Sequence, residues 1–197
     1  MQRKYGQVDN AEIAKRLFLR GKHLGKEGVK GLGRELYAFA FVRNPYSRIA
    51  SAYLDKVARG KGRQARVLGS RGHEKSTPFS FLEFCQYIRE VGPYEDPHWF
   101  PQVAFIPCGK DKLNFLGVFE NLEADYSVVE NAIFGGNSFS LCSSWDDHKT
   151  NASQWLRDTY CEETLHIVGE VYKDDFSSFS YKKFNDLESA RFSYERT

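Results

Sequence analysis

The sequence predicts an α/β fold built around a mainly parallel sheet. Two apolar runs, 36–42 and 113–119, are of strand length, and each leads into a segment with helical periodicity. Turn or cap residues stand at the junctions, which marks strand–helix units rather than hairpins. The length of 197 residues fits a single domain, 1–197, with enough chain for a real core. Its 41% hydrophobic and 27% charged residues are those of a globular protein. Neither an internal repeat nor a linker divides it.

Taken in order, residues 10–20 read as a helix. Ile13 and Leu17, and Ala14 and Phe18, fall at i,i+4 spacing, and Gly21 ends it. A short, glycine-weakened helix is expected near 25–35. The first strand covers 36–42. A helix over 45–59 follows, with Ile49, Tyr53 and Val57 on one face. Residues 58–78 are rich in glycine and positive charge (Arg59, Lys61, Arg63, Arg66, Arg71, Lys75) and read as a solvated loop.

Ser80-Phe-Leu-Glu83 is a capping box opening a helix to about Val91, with Phe81, Phe84, Cys85 and Ile88 as its buried stripe. Gly92-Pro93 stops it. The second strand covers 113–119, and a helix is expected over 122–134. The last helix, 161–172, turns Leu165, Val168 and Tyr172 inward.

The net charge of +2 hides an asymmetry. Residues 1–75 carry 18 Lys/Arg against 6 Asp/Glu, whereas 76–197 carry 10 against 20. A basic half suits a polyanionic ligand such as a nucleotide. Nucleic acid is the competing ligand, but no DNA- or RNA-binding motif accompanies the charge, so it ranks below. Cys85, Cys108, Cys142 and Cys161 are widely spaced, with no Cys-x-x-Cys and no His/Cys cluster, so no metal site is expected. The first twenty residues contain no apolar signal segment, and no run of 18 apolar residues exists. The expectation is a cytoplasmic protein with reduced thiols and no membrane span. Asn151-Ala-Ser153 is a glycosylation sequon that matters only for a secreted chain.

The segment richest in chemistry is Phe39-Ala-Phe-Val-Arg-Asn-Pro-Tyr-Ser-Arg-Ile-Ala-Ser-Ala-Tyr53. A strand ends at Arg43, Asn44 is a good helix cap, and Pro45 suits the first helical position. Free backbone N–H groups, the positive helix end, a guanidinium and the Ser51 hydroxyl would converge there, an arrangement that suits a phosphate.

These residues resemble a known motif. Phe-Val-Arg-Asn-Pro followed by Arg-x-x-Ser-Ala-Tyr is similar to the 3′-phosphate-binding motif of carbohydrate sulfotransferases. Those enzymes move a sulfuryl group from 3′-phosphoadenosine-5′-phosphosulfate (PAPS) to a sugar hydroxyl. The resemblance continues through His98-Trp-Phe-Pro-Gln102, Phe115-Leu-Gly-Val-Phe-Glu-Asn-Leu122, His148-Lys-Thr-Asn-Ala-Ser153, and Tyr172 with Asp175-Phe-Ser-Ser-Phe-Ser-Tyr181. It covers most of the chain, in the family's order, and is nearest to the compact bacterial-type members.

The resemblance implies a P-loop NTPase-like three-layer fold, PAPS as co-substrate and a carbohydrate acceptor, with no nucleic acid as partner. Arg43 and Ser51 are implied to hold the 3′-phosphate. His23, in Lys22-His23 upstream of the first strand, is implied to be the catalytic base, and imidazole suits that task near neutral pH. His98 and His148 come second. Trp99 and Gln102 are read either as lining the acceptor or, for the tryptophan, as core. The basic 58–78 segment would then be a loop or a flap over an acidic glycan.

The chain departs from the family pattern at one place. It opens Met1-Gln-Arg-Lys-Tyr-Gly, without the strand and lysine-bearing turn that cradle the 5′-phosphosulfate. Gly28-Val-Lys-Gly-Leu-Gly-Arg-Glu35 has phosphate-loop glycine spacing, but Arg-Glu stands where Lys-Ser/Thr is required. It reads as a turn. The expectation is a sulfotransferase-like domain shortened at its N-terminus. Two alternatives stay open: an active transferase, or a non-catalytic remnant that binds nucleotide or acidic glycan. A Golgi-lumenal or membrane-anchored protein is expected only if a further segment precedes Met1.

Overall fold

A computed structural model of the chain describes residues 37–58, 79–106, 109–135, 159–184 and 186. The helices expected at 10–20 and 25–35, His23, the glycine-rich turn at 28–35 and His73 lie outside the described residues. So do nearly all of the basic 58–78 segment, Cys108, Cys142 and the His148 block.

Strands β1 (Phe39–Val42) and β2 (Phe115–Val118) pair in parallel, in the register Phe39↔Phe115 to Val42↔Val118. Both are shorter than the apolar runs that contain them. At the near end, Asn114 closes the ladder: its Oδ1 accepts the Ala38 N–H at 2.8 Å, and its own N–H donates to the Ala38 carbonyl at 2.7 Å. Leu113 belongs to the preceding 3-10 turn through its N–H to the Lys110 carbonyl, and Phe119 opens another turn, Phe119–Asn121. Opposite Phe41, Gly117 leaves room for that ring. A Cβ there would lie 2.5 Å from Phe41 Cε1, well inside van der Waals contact.

Helix α1 (Pro45–Lys56) starts as the sequence predicts, with Asn44 Oδ1 accepting the Tyr46 N–H at 2.9 Å and proline in the first turn. It ends before residue 59, because the Val57 and Ala58 N–H groups both turn to the Tyr53 carbonyl. The second of these bonds spans five residues and unwinds the helix. Helix α2 (Phe81–Val91) carries the expected capping box: Ser80 Oγ accepts the Glu83 N–H, and Glu83 Oε2 accepts the Ser80 N–H. Gly92, at φ +93°, stops it.

Helix α3 (Leu122–Phe134) has the expected bounds and is tied to β2 by Asp125, whose Oδ2 accepts the Val118 N–H at 2.6 Å. The last predicted helix is α4 (Glu162–Val171), close to its expected bounds, and a further short helix, α5 (Lys173–Ser178), follows it. They are joined at Tyr172, where φ −107° and ψ 23° leave the helical region. Asp174 and Asp175 in the first turn of α5 favour a fresh helix start.

Helices α1, α2 and α4 pack together, and all three predicted faces are buried. These are Ile49, Tyr53 and Val57; Phe81, Phe84, Cys85 and Ile88; and Leu165, Val168 and Tyr172. Tyr46 is fully enclosed at the centre, ringed by Tyr160, Phe176 and Phe184. Its hydroxyl accepts the Phe184 N–H, and its carbonyl accepts the Tyr160 hydroxyl at 2.9 Å. Cys85 and Cys161 are free, and burial raises the Cys85 thiol far above its ordinary range. Among the described residues, no helix is long and apolar enough to cross a membrane.

Candidate functional site

Four of the sequence segments noted above meet where β1 runs into α1. Each contributes a polar side chain to the peptide groups around Arg43.

Gln102 comes from the Trp-Phe-Pro-Gln segment and is buried at 7% exposure. Its Oε1 accepts the Arg43 N–H at 2.8 Å, and its Nε2 donates to the Arg43 carbonyl at 2.8 Å. Glu120, just beyond β2, accepts the Asn44 N–H at 2.7 Å with Oε1 and the Tyr181 hydroxyl at 2.8 Å with Oε2. Asp175, from α5, has no exposed surface. Its two carboxylate oxygens accept the Gln102 and Val103 N–H groups at 2.8 and 2.9 Å, which anchors the 3-10 turn Gln102–Phe105. Arg48 fastens the loop before that turn, with Nη1 donating to the Phe100 carbonyl at 2.7 Å.

The expectation of free N–H groups at the start of α1 is therefore corrected for all but the Ser47 N–H, which has no hydrogen-bond partner among the described residues. The Arg43, Asn44 and Tyr46 N–H groups are all taken, by Gln102, Glu120 and Asn44, and Pro45 has none. The anionic group near the helix start is the protein's own Glu120 carboxylate. What remains for an outside anion is that one N–H and, beyond it, side-chain chemistry.

Arg43 supplies it. Its Nε donates to Ser47 Oγ at 2.9 Å, and its guanidinium carbon lies 4.6 Å from the centroid of the Phe119 ring. Among the described residues no carboxylate lies within 4 Å of the guanidinium, and only Nε of that group is hydrogen-bonded. Burial pulls Arg43 below its ordinary value, while the Glu120 carboxylate pushes it back up. A guanidinium stays charged at neutral pH in either case.

Ser51 lies in the second turn of α1, half-buried, four residues beyond Ser47 and on the same face. Among the described residues its hydroxyl has no hydrogen-bond partner. Arg43 thus reaches Ser47 directly and not Ser51, which sits about 6 Å further along the helix axis. Ser47 is a site residue that the sequence reading missed, although its place four residues after Arg43 could have flagged it.

Of the other candidates, Trp99 is core: it is 2% exposed and packs edge-to-face on Phe84 at 5.3 Å. Gln102 braces Arg43 with its carboxamide. His98 is at the surface, its Nδ1 2.5 Å from Asp96 Oδ1. A cavity of about 190 Å³ borders the network, lined by Ala40, Phe41, Val42, Arg48, Gln102, Phe105 and Ile106. It is smaller than the roughly 300–1,000 Å³ of ordinary ligand pockets. Among the described residues, no group of His, Cys, Asp or Glu is placed to hold a metal ion.

This polar corner, on an α/β frame with a parallel sheet, is matched by sequence. Residues 15–182 fit the sequence profile of the Sulfotransferase family, and the chain belongs to that family. Among similar proteins, carbohydrate sulfotransferase 14 of Danio rerio is 25% identical over 174 residues, covering 80% of this chain and 47% of its own length. Carbohydrate sulfotransferase 9 of Homo sapiens is 29% identical over 192 residues, 82% of this chain and 42% of its own length. Carbohydrate sulfotransferase 8 of Mus musculus is 29% identical over 172 residues, 75% and 40%. The chain therefore spans less than half the length of these relatives. No solved structure matches it significantly.

Proposed function

We propose that this chain is the sulfotransferase domain, 1–197, of a PAPS-dependent carbohydrate sulfotransferase. Arg43 and Ser51 hold the donor's 3′-phosphate, joined by Ser47, and His23 takes the proton of the acceptor hydroxyl. In this reaction the acceptor oxygen forms a new bond to sulfur as the bond from sulfur to the 5′-phosphate oxygen breaks. The hydroxyl proton passes to the base, and adenosine 3′,5′-bisphosphate leaves.

The observation that carries this reading is Arg43 itself. Its backbone is braced on both sides, yet its Nη atoms have no partner among the described residues. A rigidly mounted guanidinium with free donors is suited to bidentate phosphate binding. The carbohydrate acceptor rests on the names of the relatives.

Calorimetry with adenosine 3′,5′-bisphosphate tests the binding half. Arg43→Ala should weaken affinity by about 1.5–3 kcal/mol, the worth of a charge-assisted contact. An unchanged affinity would remove Arg43 from the site. His23→Ala should bind the nucleotide normally and abolish turnover with a sugar acceptor; retained turnover would remove His23 as base. A wild-type chain that binds the nucleotide but transfers nothing to any sugar would favour the non-catalytic alternative.

A further inference from the structure

We propose that Gln102 and Asp175 are positioning residues for the phosphate-binding arginine, acting together as a clamp that reads through to 3′-phosphate selectivity. This inference rests on the reading that Arg43 binds the 3′-phosphate.

Arg43 is the residue at which the chain leaves β1 and has not yet entered α1, so neither ladder nor helix fixes its backbone. Gln102 does so with one side chain. Its carboxamide accepts from the Arg43 N–H and donates to the Arg43 carbonyl, both at 2.8 Å. These are the two bonds a neighbouring strand would supply, and they fix both peptide planes flanking the arginine. The direction in which the guanidinium leaves the backbone is fixed with them.

The clamp is held in turn from α5. Asp175 accepts the N–H of Gln102 itself at 2.8 Å and that of Val103 at 2.9 Å, and it is fully enclosed. Arg48 ties down the preceding loop through the Phe100 carbonyl. Placing a carboxylate and a carboxamide in the interior is costly unless their bonds are well made. Here both are spent on the peptide groups that aim one arginine. A purely structural network would satisfy those groups equally well. It would have no bearing on which phosphate the protein prefers.

The distinguishing readout is the ratio of affinities for adenosine 3′,5′-bisphosphate and adenosine 5′-monophosphate, which isolates the 3′-phosphate. Arg43→Ala should collapse the ratio; if it does not, the underlying reading fails, whatever Gln102 does. With that established, Gln102→Met keeps the length and removes both hydrogen bonds. It should lower the ratio about tenfold while leaving 5′-monophosphate affinity within about twofold, as expected when an arginine is misaimed rather than lost. Asp175→Asn keeps the volume and one acceptor and should lower the ratio about threefold. It gives the same readout should the methionine variant fail to fold. A wild-type ratio in either folded variant, beside a collapsed ratio in Arg43→Ala, overturns the proposal.

Discussion

The helical trio α1, α2 and α4 and the strand end at Arg43 lie side by side but are held by opposite means. In and around the trio, rings and aliphatic chains close over one another. Tyr46 is the example, enclosed by three aromatic rings. At the strand end, six hydrogen bonds involving Gln102, Glu120, Asp175 and Tyr181 carry the geometry. Apolar packing is tolerant of small shifts and strong in sum, whereas hydrogen bonds are weak in net energy but exact in direction. The division is the one a binding protein needs: stability in one place, aim in another.

The contrast breaks most visibly at its centre. Tyr46→Ala should cost about 3–5 kcal/mol of stability in denaturant unfolding, as for other large aromatic truncations. A loss below about 1 kcal/mol would mean that the trio does not depend on its most enclosed ring.

Arg43→Ala should do the reverse, leaving the unfolding midpoint nearly unchanged while nucleotide affinity falls as given above. A large fall in stability would show that the arginine serves the fold and that the two regions are not separate.

The smallest effect concerns Asp175. Burial raises its carboxyl above the ordinary 3.8, although the Gln102 and Val103 N–H groups and Arg48 act against this. The folded state then holds the proton more tightly than the unfolded state. This group's contribution to stability is present in full below pH 3.8 and falls as pH rises through the higher folded value. Asp175→Asn should remove that decline. The stability of wild type minus that of the variant, measured by denaturant unfolding across a pH series, should therefore shrink with rising pH above about 4. A difference that grows would show that the two backbone hydrogen bonds outweigh burial.

Legibility divides along the same boundary. The trio was readable because its signals are local: helical periodicity gave the buried faces, and Ser80 with Glu83 gave the cap. The limits of the strands were less readable. An apolar run does not say where pairing stops, and here Asn114 and the turn at Leu113 stop it. The end of α4 at Tyr172 was readable, whereas α5, six residues long, carries too few apolar positions to show a period. At the strand end, Arg43 and Ser51 were recognised from a motif. The partners that aim Arg43 carry no local mark, because Gln102 is 59 positions away and Asp175 lies 73 beyond Gln102. The occupied N–H groups at the start of α1 were likewise invisible, since Glu120 lies 76 residues from Asn44.

Those separations also set an order of assembly. A nascent chain that has just emitted Phe39–Val42 and α1 holds the arginine but none of the groups that aim it. Gln102 arrives next, still without its carboxylate. Only when Asp175, Tyr181 and Phe184 have emerged can the clamp, the Glu120 bridge and the lid on Tyr46 close. Bonds between distant positions must meet the entropy of loop closure before they return any energy. The corner built from the earliest described residues is therefore among the last to be finished, and a chain cut before residue 175 would carry the motif without the site.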